Sequence, residues 1–296
     1  MSKTLIDRIV EAVRAQVPLW ACELTSRHVI VAGVNRQRNK VRARLAAGLR
    51  TQGVTGSLTE TNIANKDATR SAVLDALNEA GFEGSEIAVI VPDDAVRIAF
   101  LTVEKLSKDP AEQQTFIRWK FKKSVPFDVE SAQVAFRLLG TRPDGSSDML
   151  VTFSPRTVIE EYENLFDSMD IHAGLVIPST LAALNLFTPP PADALFLKIA
   201  PACITTTIFQ QGRMQFYRRV IDASVYEAVY PTLMYYQDKL GGNALGQLVV
   251  CGYDADLRES LQELQEKLGL RPEHLKPMTT EDIFKPALGG VHCEAI

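Results

Sequence analysis

The sequence lacks paired cysteines and clustered histidines. Its four cysteines are scattered over 296 residues, and no two have the spacing of a zinc knuckle or a redox pair. The four histidines are equally dispersed, and the Gly-x-Ser-x-Gly elbow of a serine hydrolase does not occur. No Ser-His-Asp or Cys-His arrangement can be assembled from these motifs. We therefore expect neither metal ligands nor catalytic residues.

Long apolar runs are also missing. No segment approaches the roughly 20 apolar residues that cross a bilayer, and the best candidate, residues 194–209, is interrupted by Lys198 and Pro201. Asp7 and Glu11 stand where a signal peptide needs an unbroken apolar core. The formal net charge of -4 gives no case for binding nucleic acid. The sequence predicts a cytoplasmic protein without a nucleic acid partner.

What the sequence does contain is an order of elements that occurs twice. A meander of short strands, a helix and a buried strand can be traced over residues 19–91 and again over residues 194–251. A further helix is predicted over residues 2–17, ahead of the first copy. The repeated order predicts an α/β fold with two similar lobes.

Residues 93–170 lie between the two copies and break their order. Strand, helix, strand, strand and helix follow one another there in fewer than 80 residues, which predicts a compact module inserted into the first lobe. At its centre, residues 116–139 predict a basic amphipathic helix that ends near Ser124, ahead of Pro126, and then an alternating strand. The basic residues of this helix are either a solvated face or a surface that meets the anionic inner leaflet.

Four segments carry a resemblance to a known family: residues 87–97 (IAVIVPDDAVR), 117–129 (IRWKFKKSVPFDV), 150–170 and 203–216. On these residues the chain resembles the PilM family, the actin-like cytoplasmic proteins of type IV pilus assembly, together with their relatives MshI and the cytoplasmic part of GspL. The resemblance implies a two-lobed actin-like (ASKHA) α/β fold with a small SHS2-like α/β module inserted into the first lobe. The implied domains are an N-terminal helix (1–18), the first lobe (19–92 with 171–190), the inserted module (93–170) and the second lobe (191–296).

The resemblance also implies where a nucleotide would bind. Actin-like ATPases grip the phosphates and a metal with two Asp-x-Gly loops, because glycine lets the backbone approach a phosphate and aspartate holds the metal. Here the first loop has Glu23 in place of aspartate and Thr25 in place of glycine. The second loop has Lys198 in place of aspartate, which reverses the charge, and Pro201, which removes a backbone donor. Both loops depart from the pattern of a working ATPase.

The third loop, on the adenosine side, keeps only Gly252 and continues with the bulky Tyr253. We therefore expect no hydrolysis of ATP and no obligatory cofactor, with ATP and Mg²⁺ needed only in the alternative interpretation. The residues that would contact a nucleotide in these degenerate loops are Glu23, Thr25, Ser26, Thr205, Thr206 and Gly252.

Three hypotheses about function follow. The first is a pilus or secretion scaffold, peripheral to the inner membrane, that binds the N-terminal tail of a PilN-like bitopic membrane protein in a groove beside the inserted module. The second is a divergent actin-like ATPase that binds and hydrolyses ATP, and the third is an assembly protein that associates with itself. Under the first hypothesis, the residues predicted to contact the partner are Arg118, Trp119, Lys122, Val125, Pro126 and Phe127.

Overall fold

The computed structural model describes residues 18–34, 43–50, 53–142, 144–200, 203–252, 257–269, 271–275 and 285–290. The predicted N-terminal helix, Pro201 and Tyr253 lie outside the described residues. The strands are β1 (Trp20–Leu24), β2 (His28–Val34), β3 (Ala43–Arg50), β4 (Glu86–Val91), β5 (Arg97–Val103), β6 (Ala132–Thr141), β7 (Ser147–Pro155), β8 (His172–Pro178), β9 (Ala194–Ile199), β10 (Cys203–Gln210), β11 (Arg213–Ile221), β12 (Gln247–Gly252) and β13 (Pro272–His274). The helices are α1 (Lys66–Ala80), α2 (Pro110–Phe121), α3 (Arg156–Asp167), α4 (Ser179–Leu184), α5 (Val225–Leu240), α6 (Leu257–Leu268) and α7 (Lys285–Gly290), with a short 3₁₀ turn at Asp93–Ala95.

Two five-stranded sheets share one strand order. The first lobe has the order β3-β2-β1-β4-β8, and the second lobe has the order β11-β10-β9-β12-β13. In each, the first three strands form an antiparallel meander and the last two run parallel to the meander's first strand. The predicted two-lobed, pseudo-duplicated α/β fold is confirmed.

The central strands of both sheets read as near-continuous apolar runs because they are covered on both faces. Five of the six residues of β4 are buried, and in the second sheet Leu195 and Leu197 pack towards α5 and α6. On the opposite face of that sheet, Phe196 joins a smaller cluster beneath α4. Helix α4 of the first lobe therefore rests against the second lobe's sheet.

The inserted region contains a third sheet of its own. Its order is β5-β7-β6, and α2 covers one face. The core between them includes Ile117 of α2 and the alternate residues Met149, Val151 and Phe153 of β7. Helix α2 starts at Pro110, capped by Asp109, and ends at Phe121, earlier than the predicted Ser124 because Ser124 donates to the Phe121 carbonyl in a closing turn. The SHS2-like character of the module stays a prediction.

Helix α3 packs differently from the rest of the inserted region. Its apolar side chains Val158, Tyr162, Leu165 and Phe166 belong to the core of the first lobe. The module limits of 93–170 stay a prediction, within which the separately packed sheet and α2 span residues 97–155. Among the described residues, no helix is both long enough and apolar enough to cross a membrane.

Candidate functional site

The turn between β1 and β2 uses its own backbone donors. The Oγ1 of Thr25 accepts hydrogen bonds from the N–H groups of Arg27 (3.2 Å) and His28 (2.8 Å) and donates to the His28 carbonyl at 3.0 Å. In an actin-like ATPase such turn amides would point at phosphate. Because Thr25 occupies these two donors, the first loop presents a closed turn in place of a phosphate cradle.

The second lobe presents two cations to the cleft between the lobes. Lys198 on β9, Thr205 on β10 and Arg219 on β11 are register partners, so they form one row across three neighbouring strands. Residues in such a row lie on one face of the sheet. The lysine that the sequence placed in the second loop is thus accompanied by an arginine two strands away.

The first lobe contributes carboxylates that face these two cations. Asp93, just after β4, accepts from the backbone N–H of Thr180 at 2.8 Å and from its hydroxyl at 2.6 Å. Glu23 accepts from the Ser179 hydroxyl, also at the start of α4. These bonds fix both carboxylates beside the second lobe's lysine.

Ion pairs join the two lobes through these groups. The Nζ of Lys198 lies 3.5 Å from Asp93 Oδ2, and both side chains are only 1% exposed. Arg219 Nε lies 3.0 Å from Asp94 Oδ1, and Arg219 Nη1 donates to the Asp93 carbonyl at 2.6 Å. We call Glu23, Asp93, Asp94, Lys198 and Arg219 the interlobe charge cluster.

The electrostatics of the cluster keep Lys198 charged. Burial acts to lower the pKa of Lys198, but the carboxylates of Asp93 and Glu23 outweigh it and hold that pKa above its ordinary value. Burial raises the pKa of Asp94 despite the opposing effect of Arg219. Burial, with Asp93 next in size, raises the pKa of the Cys203 thiol to about 12, so this cysteine stays protonated. Lys198 is therefore positively charged at neutral pH, beside the first-lobe carboxylates.

Little space remains in the cleft. The cavity at the cluster has a volume of about 60 Å³, room for a few water molecules. The loop before α1 closes over it, because a Cβ added to Gly56 would lie 2.7 Å from the Asp94 Cβ and 2.8 Å from the Pro92 Cβ. ATP with Mg²⁺ does not fit these described residues, since the Lys198 ammonium group lies 3.5 Å from the Asp93 carboxylate, where a metal ion would have to bind.

The predicted nucleotide contacts are only partly brought together. Glu23, Thr25 and Ser26 line the cleft cavity. Thr206 does not, because its neighbour Thr205 takes the cleft face and the Thr206 hydroxyl lies 2.9 Å from that of Thr232 in α5. Gly252 is buried at the end of β12, paired with Ile199.

Sequence reasoning missed Asp93, Asp94 and Arg219 as members of the cleft. The signal for the two aspartates was present, since they directly follow the buried strand β4, where polar groups reach the end of a sheet. No signal marked Arg219, because it stands beside Arg218 in a strand whose seven inner residues are all half-buried, without an alternating pattern.

A larger groove lies between the inserted module and both lobes. Its volume is about 320 Å³. Its walls come from β6 of the module, from the end of β8 and α4 in the first lobe, and from the turn between β10 and β11 in the second. The principal apolar side chains are Leu138, Leu139, Ile177, Leu181, Phe187 and Met214.

The rim of this groove is basic. Arg137 and Arg213 are both exposed members of its lining. The guanidinium of Arg213 lies over Gly140, where an added Cβ would approach its Nη1 to 3.1 Å. The groove thus combines apolar walls with two exposed guanidinium groups.

The residues predicted to contact a partner lie outside the groove, on α2 and the turn after it. Arg118 donates to the carbonyls of Ala132 (3.0 Å), Glu130 (3.2 Å) and Val129, which ties the turn to the helix. Val125 and Phe127 pack partly against the module's core. Trp119 is 68% exposed, and Lys122 and Pro126 are exposed as well. Their role as partner contacts stays a prediction.

Two lobes that repeat one five-stranded order around a cleft define an actin-like α/β fold. The structure of a PilM-PilN type IV pilus biogenesis complex is similar to this chain with a TM-score of 0.69 and 17% identity, over 93% of this chain and 99% of that one. An actin-like ATPase-fold protein of unknown function from Bacteroides thetaiotaomicron is similar with a TM-score of 0.61 and 10% identity, over 95% and 97% of the two chains.

The cytoplasmic domain of EpsL, an inner membrane component of the type II secretion system of Vibrio cholerae, has a TM-score of 0.54 and 11% identity, over 93% of this chain and 95% of that one. No protein-family model and no curated protein matches the sequence. These similarities show the actin-like fold, as the sequence predicted.

Proposed function

We propose that this chain is a cytoplasmic scaffold of a type IV pilus or related secretion platform, which binds the N-terminal tail of a PilN-like bitopic membrane protein without hydrolysing ATP. One observation carries the proposal: the cleft where a nucleotide would sit is filled by the protein's own charges, while a groove beside the inserted module is open and has both apolar and basic side chains in its lining.

The absence of ATP hydrolysis is supported by the chemistry of the cleft. Hydrolysis in this fold needs a metal held by carboxylates and a phosphate held by backbone donors. Here Lys198 pairs with Asp93, and the Thr25 hydroxyl accepts the hydrogen bonds of two backbone N–H groups in its turn. Neither half of the requirement is met by the described residues.

Binding of a peptide tail is supported by the shape of the groove. A volume of about 320 Å³ is in the range of pockets that bury small ligands or a few side chains. Strand β6 lies at an edge of its sheet, so an extended chain can run along it, with apolar side chains in the pocket and main-chain or acidic oxygens near Arg137 and Arg213. The similar complex of PilM with PilN supports a PilN-like partner.

The location at the inner membrane follows from the partner in this proposal. A bitopic protein keeps its cytoplasmic tail within reach of the bilayer, so a scaffold bound to that tail is peripheral to the inner membrane. The similarity to the cytoplasmic domain of EpsL, which belongs to an inner membrane component, supports the same location. Other platform proteins and self-association remain further partner hypotheses.

The test is binding of a synthetic peptide from the cytoplasmic N-terminus of the PilN-like subunit, measured by fluorescence anisotropy. Leu138→Asp places a charge on the groove wall at a side chain that is 51% exposed, so the fold tolerates it. The matched control is Ile221→Asp, at a side chain 53% exposed outside the groove. We expect Leu138→Asp to weaken the peptide at least about tenfold and Ile221→Asp to leave it unchanged.

Two results would overturn the proposal. If Leu138→Asp and Ile221→Asp bind the peptide with equal affinity, the groove is not the binding site. A rise in the thermal unfolding midpoint with Mg-ATP at millimolar concentration would show that nucleotide binds the folded state, and would favour the divergent ATPase.

A further inference from the structure

A second surface of the inserted module has no role in the cleft or the groove. We call it the α2 patch and define it by Phe116, Trp119, Lys120, Lys122, Lys123 and Pro126. Its Trp119 lies on the side of α2 opposite the buried Ile117, whereas the groove lies beyond the other face of the module's sheet.

Trp119 is not part of the packed core of the module. Trp119, at 68% exposure, is the most exposed large hydrophobic side chain of the described residues. The module's core is filled from the opposite side of α2 by Ile117 and by Phe121, whose ring centroid lies 4.8 Å from that of Phe153. Trp119 contacts the half-buried Phe116 with ring centroids 6.0 Å apart. Phe116 also packs in part against the module's core, so it supports the apolar ridge that Trp119 presents to solvent.

Three lysines surround this ridge. Lys120, Lys122 and Lys123 are all exposed, and in the described residues none of them forms an ion pair within 4.0 Å. Residues 116–127 contain four basic residues and no acid, and the next acid along the chain, Asp128, accepts from the Glu130 amide and lies near Lys122. The end of α2 is thus locally cationic.

The kind of cation points to the kind of partner. Arg118, which could grip a carboxylate in a fixed fork, is turned inward to three carbonyls. The exposed cations that remain are lysines. A lysine is a flexible point charge, so it is better suited to binding a diffuse layer of phosphates than to gripping a single carboxylate. Tryptophan beside lysine is the pairing found where proteins meet the head-group region of a bilayer.

We infer that the α2 patch binds the surface of an anionic phospholipid bilayer, with Trp119 entering the head-group region and the three lysines meeting lipid phosphates. This contact is separate from the groove and does not require the PilN-like peptide. A site for an acidic protein segment is the competing interpretation, and the experiment distinguishes the two.

The experiment is co-sedimentation of the full chain with vesicles of phosphatidylcholine alone or with about one third phosphatidylglycerol. Each lysine near an anionic surface strengthens binding about fivefold, so Lys120→Gln/Lys122→Gln/Lys123→Gln should lose about 100-fold in vesicle affinity. Trp119→Ser should lose binding as well. The emission of the wild-type protein should shift to the blue on anionic vesicles, and this shift should vanish in Trp119→Phe, since Trp20 packs against Phe82.

Matched controls carry the same chemistry elsewhere on the surface. Lys66→Gln/Lys239→Gln/Arg271→Gln removes three exposed cations, and Tyr230→Ser removes an aromatic side chain that is 43% exposed. Both controls should bind anionic vesicles within about twofold of wild type, because neither touches the α2 patch.

Three results would overturn the inference. The first is no binding to anionic vesicles, and the second is equal loss in the control variants. The third is unchanged vesicle binding in the α2 variants together with lost binding to a protein of the platform, which would assign the patch to a protein partner. Thermal unfolding midpoints near the wild-type value show that the variants are folded.

Discussion

The cleft and the groove are two concave regions of one molecule. The cleft is nearly closed, whereas the groove is open. The cleft, of about 60 Å³, is lined by charged groups that satisfy one another across the lobes. The groove, of about 320 Å³, is lined by apolar side chains and two arginines, and no described residue fills it. In the cleft, the charged groups of the two lobes pair with one another. In the groove, apolar surface stays accessible to a partner.

The difference indicates that the groove, and not the cleft, is the region available to bind a partner. A buried ion pair adds little net stability but is costly to break, because the partner that remains is an uncompensated charge. The interlobe charge cluster therefore fixes the cleft, and a ligand would have to displace an internal cation to enter. Apolar walls that remain exposed gain free energy from any complementary chain that covers them.

The largest effect is expected from removing the cation of the cleft. Lys198→Met keeps the length of the side chain and leaves Asp93 and Glu23 without their positive partner. We expect the free energy of unfolding to fall by about 3–5 kcal/mol, measured by urea denaturation. The control Lys239→Met, at an exposed position of α5, should change it by less than about 0.5 kcal/mol.

A second substitution makes this prediction sharper. Adding Asp93→Asn to Lys198→Met removes the opposing charge and should recover part of the lost stability. If the double variant is as unstable as the sum of the singles, the two side chains do not interact and the contrast between cleft and groove loses its basis.

The same cation predicts how stability depends on pH. The pKa of Lys198 is raised above its ordinary value of 10.5 in the folded protein. Its contribution is therefore complete below that value and is lost as the pH rises through the higher folded pKa. The difference in unfolding free energy between wild type and Lys198→Met should be constant from about pH 7 to about pH 10 and then shrink. Urea denaturation across this range checks it; a difference that grows at high pH contradicts the sign.

A smaller effect is expected from the loop that closes the cleft. Gly56→Ala places a methyl group 2.7 Å from the Asp94 Cβ and 2.8 Å from the Pro92 Cβ, neither of which can rotate away. Overpacking of this kind costs about 1–3 kcal/mol. The variant should unfold at lower urea while its affinity for the PilN-like peptide stays the same, since Gly56 is distant from the groove lining. A loss of peptide affinity would couple the two regions.

The smallest effect concerns the helix predicted from sequence to contact the partner. Arg118→Gln loses hydrogen bonds to three carbonyls at the module's surface, which should cost about 1 kcal/mol of stability. Peptide affinity should stay within about twofold, because Arg118 does not line the groove. If anisotropy shows a larger drop, peptide binding extends beyond the groove onto α2.

The two-lobed fold was predictable because its elements carry local signals. The helix of α5 has a capping box at Ser224 and Glu227 and ends at Gly241 in the left-handed region, and β4 is an apolar run between polar boundaries. Such signals act over a few residues, so they can be read without tertiary information. The order of these elements then indicated the repeated lobe.

The site was less predictable because it depends on contacts between distant residues. Lys198 was recognised as incompatible with a metal, but its pairing with Asp93 joins two lobes and leaves no trace in sequence spacing. The groove is harder still, since its walls come from residues as far apart as Leu138 and Met214. Arg118, predicted to contact a partner, is bonded to the carbonyls of the following turn, which its place on a basic helix did not indicate; its role as a partner contact stays a prediction.

The position of the turn between β10 and β11 has a consequence for regulation. Because this second-lobe turn forms part of the groove wall, the width of the groove depends on the angle between the lobes. Lys198 and Arg219 hold that angle, because they pair with Asp93 and Asp94 across the lobes. Under the proposed function, ATP hydrolysis does not release the bound tail. The fraction of the scaffold that carries a tail is then set only by the concentration of the membrane subunit and by the dissociation constant of the complex.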